Sequence, residues 1–204
     1  AGLDVLEDCA AEGITCTLTI SYTVPQTLAI AERHRQGMKR AHAQGTQPGK
    51  CFAVIMIGRL DDYLREVAHD GRVSVSESDI RQAGLAVTKR AYSIYQQRGY
   101  EAVLIVAALR GTHHMTELAG AEVIMSLFPS VQEMVLSGDL PQEERIDVPV
   151  AADVIERLSR IPDFVRAYEP DGMTPAEFIT YGVTQRTLSQ FIESGWRLME
   201  SFRA

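Results

Sequence analysis

An α/β fold of parallel strand–helix units is predicted by three observations. Short apolar runs rich in β-branched residues alternate with helix-like stretches, four times over. Two of the runs, Cys51-Phe-Ala-Val-Ile-Met-Ile57 and Ala102-Val-Leu-Ile-Val-Ala-Ala-Leu109, are almost wholly apolar, as strands covered on both faces are. Glycines close the helical stretches, at Gly13, Gly45, Gly99 and Gly120. Such alternation implies parallel strands joined by right-handed crossovers. Four strands are too few to close a barrel, and an open sheet of four needs both faces covered.

The elements follow in order. Leu3, Leu6, Cys9 and Ala10 recur at a helical period, and Gly13 ends the helix predicted over 3–12. The β-branched stretch 14–20 is the first strand. Pro25 opens a helix to about residue 44, which the Gly45-Thr-Gln-Pro-Gly49 cluster breaks. After the second strand, 51–57, come a helix over 61–67 and an irregular loop over 68–76. Ser78 can cap the long helix that ends at Gly99. The third strand is 102–109, followed by a helix over 112–119, a short strand over 122–126 and a helix from Pro129 to 136. Pro141, Pro149, Pro162, Pro170 and Pro175 divide the remainder into linkers and helices, ending in one long helix over 175–201. Residues 1–140 thus carry the strand–helix units, and 141–204 the linkers and helices that pack on them.

The 204 residues carry a net charge of −7 and no basic stripe, which argues against nucleic acid as the main partner. No apolar stretch reaches membrane-spanning length, and no signal peptide opens the chain. Cys9, Cys16 and Cys51 have no metal-ligand spacing; Cys16 and Cys51 sit in apolar strands, so free thiols in a reducing, cytoplasmic setting are expected.

Two arginines carry the functional signal. Arg59 and Arg110 each stand directly behind an apolar strand and beside a glycine. A guanidinium offers donors in a fixed fork that matches phosphate oxygens, and parallel α/β folds bind ligands at that strand end. The alternative is that each arginine simply pairs with a neighbouring carboxylate such as Asp61, Asp62 or Glu117. His113 and His114 open the helix behind Arg110; solvent exposure or capping is their ordinary role, with contact to a ligand as the alternative. His34 and His42 lie on a basic helix that reads as a solvated face.

Glu12-Gly-Ile-Thr-Cys-Thr-Leu-Thr19, Gly58-Arg-Leu-Asp-Asp-Tyr63, Arg98-Gly-Tyr-Glu-Ala-Val103 and Glu117-Leu-Ala-Gly120, in this order, resemble the second half of transaldolases. The resemblance covers roughly residues 1–136, and the C-terminal region fits more loosely. It implies the C-terminal half of a TIM-type (β/α)8 barrel that moves a three-carbon dihydroxyacetone unit between sugar phosphates through a lysine Schiff base. No metal or other cofactor is implied. Arg59 and Arg110 correspond to two arginines that hold the substrate phosphate. Thr19 matches a catalytic threonine that orients the water used in proton transfer, and Thr17 replaces an asparagine near the Schiff-base lysine.

There are departures. Val54 stands for a serine, Met56 for an aromatic, and Ala108 for a serine beside Arg110. Each lost hydrogen bond to a phosphate costs about 1.5–3 kcal/mol of binding. In the family the Schiff-base lysine lies on the fourth strand, and this chain opens in the helix after it. Of the lysines present, Lys39 and Lys89 lie on helices and Lys50 precedes its strand, at the end opposite the site. Three readings follow: the C-terminal part of a transaldolase-type enzyme whose amine-bearing half lies elsewhere, a non-catalytic sugar-phosphate-binding or scaffold protein of the same fold, and a half-barrel that dimerises. The partners expected are a sugar phosphate and either a second copy, as a homo-oligomer, or a complementary N-terminal half-barrel.

Overall fold

A threonine cap starts one of the long helices and a left-handed glycine ends another. The computed structural model describes residues 2–202; the ends of the two sequence ranges, residues 1, 203 and 204, lie outside them. Helix α1 (Gly2–Ala11) leads into strand β1 (Cys16–Leu18). Thr23 caps α2 (Val24–Ala43), its Oγ1 accepting from the Gln26 amide at 3.2 Å, with Pro25 in the first turn. Strand β2 (Cys51–Met56) passes without a loop into α3 (Ile57–Asp70). Ser76, not Ser78, is the cap that follows. It forms a reciprocal capping box with Asp79 on the short α4 (Glu77–Ile80). Helix α5 (Ala83–Arg98) ends at Gly99, which stands at φ 57°. Then come β3 (Val103–Ala107), α6 (Thr112–Thr116), β4 (Ile124–Met125), α7 (Pro129–Ser137), α8 (Ala152–Leu158) and α9 (Pro162–Tyr168).

The four strands are parallel and lie side by side in chain order, β1-β2-β3-β4. A doubly wound sheet reverses its order at a switch point; this sheet does not. Register pairs Thr17 with Phe52, Phe52 with Val103, and Ile105 with Ile124, so these side chains share one face. On the opposite face Ala53, Ile55, Leu104 and Val106 are buried in the core with Leu28, Leu64 and Ala91 of the helices. The first face is covered unevenly: Val54 is buried, whereas Thr17, Val103 and Ile124 reach solvent.

The expected single helix over 175–201 is broken. A 3₁₀ turn (Phe178–Thr180) precedes α10 (Gly182–Phe191), a π-helical turn (Ile192–Trp196) and α11 (Arg197–Glu200). Tyr181 explains the first break. Its ring is fully buried edge-on against Tyr63, and its hydroxyl donates to the Asp163 carbonyl at 2.8 Å. Burying that ring takes the chain out of helical geometry. His34 also departs from the solvated face expected of α2. It is buried, and its Nε2 donates to the Gly49 carbonyl at 2.8 Å. Cys51 is buried and Cys16 half-buried, both free. Among the described residues no helix is long and apolar enough to cross a membrane.

Candidate anion-binding site

Because α3 begins at Ile57, Gly58 and Arg59 form its first turn rather than a loop. A Cβ on Gly58 would strike the Ala108 carbonyl and come within 2.5 Å of Arg110 Cγ. Glycine therefore lets the end of β2 touch the segment that follows β3. Arg59 and the Arg110 side chain lie beside this one contact.

Their partners differ. Arg110 donates from Nε and Nη2 to Asp62 Oδ2, at 2.9 and 2.7 Å, and from Nη1 to the Ala108 carbonyl at 2.8 Å. Burial alone would raise the Asp62 carboxyl, but Arg110 and Arg65 outweigh it and hold Asp62 below the usual carboxylate range. The carboxylate pairing open to either arginine is thus realised at Arg110. Arg59 instead donates to a neutral amide, Gln190 Oε1, at 2.6 Å, with its guanidinium 5.5 Å from the Phe191 ring centre. Among the described residues no carboxylate forms an ion pair with Arg59. Its charge is the less compensated of the two.

Thr17 and Thr19 are exposed and line an open cavity of about 760 Å³ together with Phe178, Ile179 and Leu188. Neither arginine lines it. The two threonines singled out in the sequence therefore share a space that neither arginine enters. Two links run between the two sides. Thr19 Oγ1 lies 3.9 Å from Met56 Sδ, just before the Gly58 turn. Tyr22, beyond β1, has its hydroxyl pushed up by burial, which the Thr187 hydroxyl and the Arg59 charge partly offset.

The two histidines do not behave as exposed or capping groups. His114 is fully buried, bonded through Nε2 to Asp61 Oδ2 at 3.1 Å. His113 accepts from Arg81 at Nδ1, and its Nε2 is buried with no partner among the described residues. Burial first, then the neighbouring His114 and Arg81, lower its pKa from 6.5 to about 4. The folded state thus prefers neutral His113, whereas the unfolded chain protonates it near 6.5. Stability from this group is present above pH 6.5 and is lost as pH falls towards about 4. Thermal melts across that window should show a falling midpoint, and His113→Asn should flatten this part of the profile. A slope unchanged in the variant would remove His113 as its source.

Residues 1–173 match the transaldolase/fructose-6-phosphate aldolase family. The chain belongs to that family. It is 27% identical over 145 residues to a transaldolase of Pseudoalteromonas atlantica, a stretch covering 71% of this chain and 39% of that protein. It is also 27% identical over 152 residues to a transaldolase of Gibberella intermedia, covering 74% and 41%. The chain thus matches about two-fifths of the length of these relatives. The family match extends past residue 136, through α8 and α9, where the sequence motifs thin out.

Two sets of contacts in this family member escaped the sequence: those of Arg59 and the bond between Asp61 and His114. Gln190 and Phe191 reach Arg59 from a helix more than a hundred residues away, and nothing local marks them. Asp61 and His114 had a weak signal. Asp61 lies between Leu60 and Leu64 on the buried face of α3, where an unpaired carboxylate would be expensive.

Proposed function

We propose that this chain supplies the phosphate-holding part of a transaldolase-type site, as the C-terminal half of a TIM-type barrel. One observation supports the reading: Gly58 packs on the Ala108–Arg110 segment, so Arg59 and Arg110 each follow one of two adjacent parallel strands at their shared carboxyl end. Arg59 presents the fuller charge to the phosphate of a sugar phosphate. Arg110, braced by Asp62, contributes the second guanidinium. Thr17 and Thr19, on the partly open face of the sheet, border the space beside the sugar carbons. The strand order supports the barrel reading, since consecutive neighbours in a (β/α)8 barrel run without reversal. A complementary half-barrel, or a second copy of the chain, would cover the exposed Val103 and Ile124.

The Schiff-base amine comes from outside this chain. A reactive lysine must be desolvated beside the substrate carbonyl. Lys39 is exposed on α2, and Lys50 precedes β2 at the amino end of the sheet. Lys89 is buried, but Glu117 and the carbonyls of Arg145 and Val148 accept from its ammonium at 3.2, 2.9 and 2.6 Å. Burial lowers its pKa, partly countered by Glu117; these contacts fasten it to the segment before α8.

Borohydride reduction in the presence of fructose 6-phosphate tests the assignment. The mass of this chain should stay unchanged, while the sugar phosphate raises its melting temperature. A reduced adduct on Lys39, Lys50 or Lys89 would overturn the placement of the amine. No thermal shift at all would overturn the phosphate site.

A further inference from the structure

Asp61 and His114 are sealed from solvent, with side chains 3% and 0% exposed. Their polar atoms are nonetheless used in a defined order. Asp61 Oδ1 accepts from the Gly84 amide at 2.7 Å, and Oδ2 faces His114 Nε2 at 3.1 Å. His114 Nδ1 in turn faces the Arg110 amide at 3.2 Å. A backbone N–H can only donate, so Nδ1 is the bare nitrogen and Nε2 carries the hydrogen. The carboxylate fixes that tautomer, because it accepts and cannot donate.

The relay runs from α5 through α3 and α6 to the backbone of Arg110. The segment it grips needs holding. Ala108 stands at φ 59°, in the left-handed region that alanine rarely adopts. Its carbonyl also anchors Arg110 Nη1. We infer that Asp61 and His114 are positioning residues for the anion site. They pin the Arg110 amide and so fix the direction from which its guanidinium is presented. The inference rests on the reading that Arg110 faces a substrate phosphate.

Two substitutions at one position separate this role from plain core packing. In His114→Asn the amide oxygen takes roughly the place of Nδ1, so the Arg110 amide keeps its acceptor while the bond to Asp61 is lost. In His114→Gln the amide nitrogen takes roughly the place of Nε2, so Asp61 keeps its donor while the Arg110 amide is orphaned. Each variant removes one buried hydrogen bond, so melting temperature should drop in both. Calorimetric titration of the full chain with fructose 6-phosphate should divide them. The glutamine variant should bind about tenfold more weakly than the parent, and the asparagine variant, which keeps the acceptor but loses its orientation by Asp61, about threefold more weakly. Equal affinities in the two variants would overturn the positioning role. A parent chain that does not bind fructose 6-phosphate would overturn the functional reading itself, a distinct result. Nitrogen NMR of the unsubstituted chain gives a check that needs no variant to fold: His114 should carry its proton on Nε2, and a proton on Nδ1 would sink the relay.

Discussion

Arg59→Ala should weaken fructose 6-phosphate binding by about a hundredfold in calorimetric titration, equivalent to about 2.7 kcal/mol. That is the size expected for losing one forked guanidinium from a phosphate, since each charge-assisted hydrogen bond is worth about 1.5–3 kcal/mol. Arg110→Ala should cost less. Two of the Arg110 donors already serve Asp62 and a third serves the Ala108 carbonyl, so little of its charge and few of its protons are free. Arg59→Lys keeps the charge but loses the fork, and its affinity should fall between the parent and the alanine variant. The unliganded melting temperature should hardly move in Arg59→Ala, because among the described residues that side chain bonds the Gln190 amide and lies by the Phe191 ring at the end of α10. An affinity unchanged in Arg59→Ala, or a larger loss at Arg110, would contradict the division of labour drawn from these contacts.

The parts that were legible in the sequence share one property: their cause is local. Strands β2 and β3 are contiguous apolar runs, so their strand character is written into consecutive residues; the burial on both faces expected of them holds for β2, whereas one face of β3 stays partly open at Val103. The position of Arg59 and Arg110 behind the two strands was visible because a charge directly behind such a run, beside glycine, is a local pattern. Gly99 stops α5 for the same kind of reason, through its own φ. What stayed hidden depends on distant partners. The break at Tyr181 comes from Tyr63 and Asp163, and His34 is buried by the carbonyl of Gly49. His114 and its neighbour are alike in sequence. Yet one is sealed against Asp61 and the other leans on Arg81, a difference set by the way α6 meets α3 and the turn between α4 and α5. Gln190 meets Arg59 only because the predicted terminal helix breaks and α10 packs on α3. The division between Arg59 and Arg110 was therefore out of reach as well: Asp62 was an obvious candidate partner for either arginine, and only the fold decides which one takes it.

Gly58→Ala tests the joint on which both arginines depend. On helix propensity alone the substitution should help, by roughly 0.5–1 kcal/mol, since Gly58 sits in a helical turn. Sterics work against it. The added methyl would collide with the Ala108 carbonyl and Arg110 Cγ. The carbonyl cannot simply rotate away, because it holds Arg110 Nη1 and belongs to a residue already at φ 59°. Overpacking of this kind costs about 1–3 kcal/mol, more than propensity returns, so the melting temperature should fall. Arg110 lies on the far side of the clash, so fructose 6-phosphate affinity should fall too, unlike in a purely structural lesion elsewhere. Gly195→Ala is the matched control: a Cβ there meets open space within a helical segment, and both readouts should stay at or above the parent. If Gly58→Ala were as stable as the parent and bound the sugar phosphate as tightly, the close approach of the two strand ends could not be what brings the arginines together.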